Sequence, residues 1–63
     1  MYVIIARYVA DGIRGLVTQK GKVKTFPTED SARNFGTNTL TLASYVAEWE
    51  ALTKTEAKKR GYE

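Results

Sequence analysis

Among the side chains of this sequence that could do chemistry, the carboxylates Glu48 and Glu50 and the cations Arg14, Lys20, Lys22 and Lys24 have the most suggestive spacing. Glu48 and Glu50 alternate, so on a strand they leave the same face about 7 Å apart, a separation near that of a glycosidase pair. A chain of 63 residues leaves little room for a sugar-binding cleft around them. The same pair would hold Mg²⁺ only through water, because no further residues complete a ligand set. The sequence has no histidine and no cysteine, so a serine or threonine nucleophile lacks an imidazole base and no thiolate is available. Ser31 reads as a helix cap and Ser44 as a loop residue. The expectation is a protein that is not an enzyme, with no cofactor and no metal, whose two glutamates form a solvated acidic edge.

The cations support a different chemistry. Lys22 and Lys24 alternate on one strand face, Lys20 sits in the preceding turn and Arg14 lies one strand earlier, a set that would present a row of charges to nucleic-acid phosphates. Lysines on an outward strand face also keep a sheet edge from pairing with other chains, so both readings stay open. Tyr2, Tyr8, Phe26 and Trp49 have rings that stack on unpaired bases. A small core needs most of these rings for packing, and Trp49 is the expected anchor. Gly12-Ile13-Arg14-Gly15 matches the GxxG pattern of a KH loop, but that loop joins two helices whereas this one falls between strands. Its glycines read better as two tight backbone corners.

These residues must be positioned by short elements. Tyr2 to Val9 is β-branched and aromatic, and Asp11-Gly12 after it suits a tight hairpin turn. Ile13 to Thr18 predicts a second strand, Gln19-Lys20-Gly21 a turn, and Lys22 to Phe26 a third strand. Pro27 ends that strand, and Thr28 or Ser31 caps a helix with Glu29 and Asp30 in its first turn and Ala32, Phe35 and Gly36 on one side. From Leu42 to Arg60 two patterns compete. Leu42, Tyr45, Val46, Trp49 and Leu52 have helical spacing, while Tyr45 to Glu50 alternates and Thr53-Lys54-Thr55-Glu56 is a capping box. The second pattern is preferred: a strand near Tyr45 to Leu52, then a short helix from Thr53 to Arg60, with one longer helix as the alternative. The fold class is α+β, a small antiparallel three-stranded meander packed on a helix with a C-terminal strand plus short helix.

Composition sets the outer limits. The chain reads as one domain, residues 1–63, and a domain of that size buries only about 60% of the surface its unfolded chain exposes. Apolar residues at 43% and charged residues at 27% are ordinary for a globular protein. The longest apolar run, Val3-Ile4-Ile5-Ala6, is too short to span a bilayer, and a cytoplasmic protein without membrane contact is expected. Ten Lys and Arg against seven Asp and Glu give a net charge of +3, a lean toward polyanions. Strand one is apolar on both faces, with Tyr2, Ile4, Ala6 and Tyr8 on one and Val3, Ile5, Arg7 and Val9 on the other. One helix covers one face, so either the C-terminal segment or a partner covers the second. Val3, Ile5 and Tyr8 are the candidate partner-binding residues, and a homodimer through this face is one outcome.

The stretch from Gly21 to Phe35, Gly-Lys-Val-Lys-Thr-Phe-Pro-Thr-Glu-Asp-Ser-Ala-Arg-Asn-Phe, resembles the arm-type DNA-binding domains of phage-type tyrosine recombinases. In that family a basic strand ends in a Thr-Phe-x-Thr corner, and a helix with an alanine and an aromatic follows. The resemblance implies a three-stranded sheet packed on a helix, with the sheet in the DNA major groove and Arg14, Lys22 and Lys24 in that role. It covers about half of the chain, and no catalytic domain follows Phe35 within these residues, so it carries no recombinase chemistry. The chain is also similar, in size and architecture, to bacteriophage accessory proteins that bind a host enzyme. Two functions are therefore expected: docking on a protein, such as a nucleic-acid enzyme of a host cell and in that host's cytoplasm, to inhibit or modulate it; or direct DNA or RNA binding through Arg14, Lys20, Lys22 and Lys24.

Overall fold

The computed structural model describes residues 1–62. In chain order it comprises β1 (Tyr2–Tyr8), β2 (Arg14–Leu16), β3 (Thr18–Gln19), β4 (Lys22–Val23), α1 (Glu29–Phe35), a π-helical turn (Gly36–Leu40), β5 (Val46–Thr53) and α2 (Lys54–Lys59). The main sheet has the order β2-β1-β5, with both neighbours antiparallel to β1. This is the α+β class the sequence predicts, with the C-terminal strand and short helix in place.

The central position explains the composition of β1. A strand covered on both faces reads as a nearly continuous apolar run, and Val3, Ile4, Ile5 and Ala6 are all buried. Ile4 and Ala6 join Val17, Phe26, Ala32 and Leu40 under α1 and the π-helical turn, with Tyr2, Phe35, Trp49 and Ala51 around them. Val3 and Ile5 face the other way, where Leu52 and Ala57 complete a second small core. Burying a side chain of the size of Val3 or Ile5 stabilises the fold by about 1.5–3 kcal/mol, so α2 is part of the structure that holds the domain together.

The third place in the sheet differs from the meander. Lys22–Val23 pairs only with Thr18–Gln19, in a separate two-stranded ribbon, and β5 takes the free side of β1. Lys20 at φ 54° and Gly21 at φ 79° form the tight ribbon turn. The ribbon leaves the sheet at Val17, whose N–H donates to the Ile4 carbonyl at 2.8 Å. The chain returns at Phe26, which exchanges two backbone bonds with Tyr2, each 2.8 Å. Phe26 thus fills the place beside β1, on its β2 side, that a longer second strand would have taken.

Both helix starts follow the sequence signals. Thr28 caps α1, its hydroxyl accepting from the Ser31 N–H at 3.1 Å, and Thr53 caps α2 by accepting from the Glu56 N–H at 3.1 Å. The Thr53 cap resolves the competition in the C-terminal segment: the alternating pattern wins up to Thr53 and helix follows. On the face covered by α1, Trp49 lies against Gly36, and its indole Nε1 donates to Thr41 Oγ1 at 3.0 Å. Among the described residues, no helix is long and apolar enough to cross a membrane.

Candidate binding surfaces

The four cations expected to form one row are placed on three different parts of the molecule. Arg14 lies on β2, directly opposite Arg7 of β1, and its Nη2 donates to Glu48 Oε1 at 3.0 Å. Lys24 follows the ribbon; its Nζ donates to Gln19 Oε1 at 2.8 Å and stands 5.3 and 5.4 Å from the ring centres of Phe26 and Phe35. Lys20 and Lys22 alone remain together, at the tip of the ribbon. The row fails to form because Lys22 and Arg14 belong to separate sheets, so their side chains share no face.

The two glutamates do leave one face of β5, where they are held by arginines. Arg7 Nε donates to Glu48 Oε1 at 3.1 Å and meets Arg14 there, while Arg60 Nη1 donates to Glu50 Oε1 at 2.7 Å. The hydrogen bond from Arg7, then that from Arg14, hold the Glu48 carboxyl below the ordinary glutamate range, and Glu50 raises Arg60. A shallow concavity lies between these groups, with Ile5 and Tyr62 in its wall. Arg7, Arg14 and Arg60 are balanced there by Glu48, Glu50 and Glu56, which leaves the site little net charge to attract an ion. Exposed pairs of this kind are screened by solvent and add little stability. They do fix where the guanidinium groups point.

Of the apolar candidates, Val3 and Ile5 are corrected by the structure. Val3 is 0% exposed and Ile5 5%, because α2 folds back over this face and sets Ala57 against them. Neither has enough exposed surface to anchor a partner. Tyr8 stays partly exposed at the far end of β1. Its ring stacks on Tyr45 with centroids 6.2 Å apart and planes 14° apart. The Val9 N–H donates to the Tyr45 carbonyl at 3.0 Å, and the Tyr8 N–H donates to the Ile13 carbonyl at 3.2 Å. These bonds gather Val9, Ile13 and Tyr45, which are 60%, 63% and 61% exposed, around Tyr8. Asp11 Oδ1 accepts from the Ile13 N–H at 3.0 Å and closes the turn between them.

Val9, Ile13 and Tyr45 are the surface residues that sequence reasoning missed. A signal for the first two was present: they flank Asp11-Gly12, and apolar residues beside a hairpin turn extend past the sheet's cover. Tyr45 gave none, since its place beside Tyr8 depends on how β5 pairs with β1. Comparison of the chain with family models, curated proteins and solved structures finds no match.

Proposed function

We propose that this protein is a non-enzymatic binding module that docks on another protein through the apolar end of its sheet, formed by Tyr8, Val9, Ile13 and Tyr45, and regulates that partner. The observation that supports it is the stacked Tyr8–Tyr45 pair with Val9 and Ile13 exposed beside it. Aromatic side chains are enriched in the cores of protein interfaces, where they give large contact area for little lost rotamer freedom. Around this apolar centre the rim is of mixed charge, with Asp11 on one side and the Arg7–Glu48–Arg14 group on another. A protein surface with an apolar recess and polar margin fits that distribution better than a uniformly charged phosphate backbone does. A nucleic-acid enzyme of a host cell is the partner class suggested by the likeness to bacteriophage accessory proteins.

One observation favours a second reading, direct contact with DNA or RNA. Lys20 and Lys22 project at the ribbon tip, outside the main sheet and, among the described residues, without an ion-pair partner. Two lysines neutralise at most two phosphates, which is little affinity by itself.

The readings separate in a capture experiment on nuclease-treated extract of the source cell. Equal amounts of the native chain, an Ile13→Ser/Tyr45→Ser variant and a Lys20→Ala/Lys22→Ala variant are immobilised and their retained proteins compared. Protein docking predicts a species kept by the native and lysine-free chains and lost by the Ser variant. Retention in a parallel untreated extract that depends on the lysines, with none from the nuclease-treated extract, contradicts it.

A further inference from the structure

Among the described residues, Tyr8 and Tyr45 are the one pair of tyrosines whose rings touch. The rings lie nearly parallel, 14° between planes and 6.2 Å between centroids, and the backbone keeps them there. The register sets Tyr8 opposite Val46, the Val9 N–H donates to the Tyr45 carbonyl at 3.0 Å, and the Val46 N–H donates to the Ala43 carbonyl at 3.2 Å. The pair is therefore a product of how β1 and β5 are joined. Tyr45 is 61% exposed and Tyr8 half-buried, so both rings are open to a reagent in solution.

The rest of the chain offers an oxidising equivalent few other destinations. The sequence has no cysteine, so no thiol of its own reduces a tyrosyl radical. The single tryptophan, Trp49, is packed on Gly36 and bonded to Thr41. The single methionine, Met1, is exposed, but its thioether takes up an oxygen atom, a change that mass separates from ring coupling. Tyr2 and Tyr62 pack against the two different cores, one on each side of the sheet, and neither has a tyrosine ring beside it.

We infer that Tyr8 and Tyr45 form a site of oxidative modification, at which hydrogen peroxide, acting through a one-electron oxidant of the haem peroxidase class, joins the two rings. Each phenol gives up one electron and one proton and becomes a tyrosyl radical. The two radicals combine in a carbon–carbon bond between the Cε atoms beside the hydroxyls. The hydrogen on each bonded carbon then moves to that ring's phenolic oxygen, which restores both aromatic rings. The chain loses two hydrogens in all, and one hydrogen peroxide is reduced to two waters. Holding the rings in contact gives the coupling an effective concentration that two chains meeting in dilute solution do not reach. To form the bond the rings must draw together and turn; aromatic χ2 rotation is broad and exposed side chains reorient quickly. The new bond ties the end of β1 to the residue before β5, and a link that closes so long a loop restricts the unfolded chain. It also fixes the two rings at the centre of the proposed docking surface and makes that surface sensitive to oxidation. The chemistry does not depend on what the surface binds.

The test treats the purified chain with a haem peroxidase and limiting hydrogen peroxide at several protein dilutions, with N-acetyltyrosinamide in a parallel reaction to prove the oxidant. The expected product is monomeric, lighter by two hydrogens and fluorescent as dityrosine, and its yield does not fall on dilution. Trypsin should release the peptides Tyr8–Arg14 and Asn34–Lys54 joined to each other, a readout on the native chain that needs no variant. Tyr8→Phe and Tyr45→Phe, which keep the rings, should each lose the product, and Tyr2→Phe/Tyr62→Phe should keep it. A native chain left uncoupled while N-acetyltyrosinamide couples overturns the inference. So does coupling only between chains, with a yield that falls on dilution, or a monomeric product that persists in Tyr45→Phe or is lost in Tyr2→Phe/Tyr62→Phe.

Discussion

The indole of Trp49 occupies the space where a side chain on Gly36 would begin: a Cβ placed there would stand 2.5 Å from two of its ring carbons. Gly36 has φ −59° and ψ −49°, ordinary helical values open to any residue. The glycine is required by the ring packed against it from β5 and not by its own backbone, and this contact joins the end of α1 to β5.

The two influences on Gly36 have opposite signs, which makes the contact measurable. Helix propensity alone favours alanine over glycine by about 1 kcal/mol, whereas overpacking a core typically costs about 1–3 kcal/mol. Because the blocking atoms belong to a large ring held by its bond to Thr41, the steric cost wins. Gly36→Ala should lower unfolding stability in urea, and pairing it with Trp49→Leu should remove most of that penalty.

Thr53 ends β5 and caps α2, so one hydroxyl supports the cover over Val3 and Ile5. Thr53→Ala should cost about 1 kcal/mol, the usual value of a lost cap, while Thr53→Ser should recover most of it. Amide hydrogen exchange should report faster opening of Ala57 and its neighbours in the alanine variant, with α1 unaffected.

Acid should weaken the group built on Glu48. Its carboxyl titrates below the ordinary glutamate range because Arg7, then Arg14, donate hydrogen bonds to it. A carboxyl whose pKa is depressed by folding takes up its proton more readily in the unfolded chain. Its contribution is present above the unfolded pKa and is lost as pH falls through the folded one. Carbon-detected NMR titration should place the Glu48 midpoint below those of free glutamates, and Arg7→Ala should move it upward. Glu48→Gln should remove part of the acid dependence of stability in that interval.

Much of the local structure was legible because its causes are local. Pro27 and Thr28 mark the start of α1, and the Thr53–Glu56 box separates β5 from α2, each within a few residues. The positions of the functional candidates were not legible, because they depend on pairing across the chain. The Lys20-Gly21 turn is readable from sequence, yet nothing near it says that the ribbon leaves the sheet and separates Lys22 from Arg14. Arg7 and Arg14 meet a glutamate 41 and 34 residues away, and that meeting removes Arg14 from the expected cationic row. Val3 and Ile5 looked available because an apolar face has the same sequence whether a partner or the chain's own last helix covers it.

Nucleic-acid contact, if made by the ribbon tip alone, has a bounded signature. Two phosphate contacts on duplex DNA give a slope of about −1.8 in log affinity against log salt, at about −0.9 for each contact. Titration of Trp49 fluorescence and of gel mobility with duplex and single-stranded DNA should show at most that dependence, abolished in Lys20→Ala/Lys22→Ala. Protein docking through Tyr8 and Tyr45 predicts no binding at moderate salt.

Photo-cross-linking in the source cell tests the docking surface most directly, with a benzophenone amino acid placed at Ile13 in one chain and at Lys22 in another. The expected result is a discrete protein adduct from position 13, lost when Tyr45 is changed to Ser, and no comparable adduct from position 22. Nuclease-sensitive adducts from position 22, with none from position 13, would contradict the proposal that this protein acts through the Tyr8–Tyr45 end of its sheet.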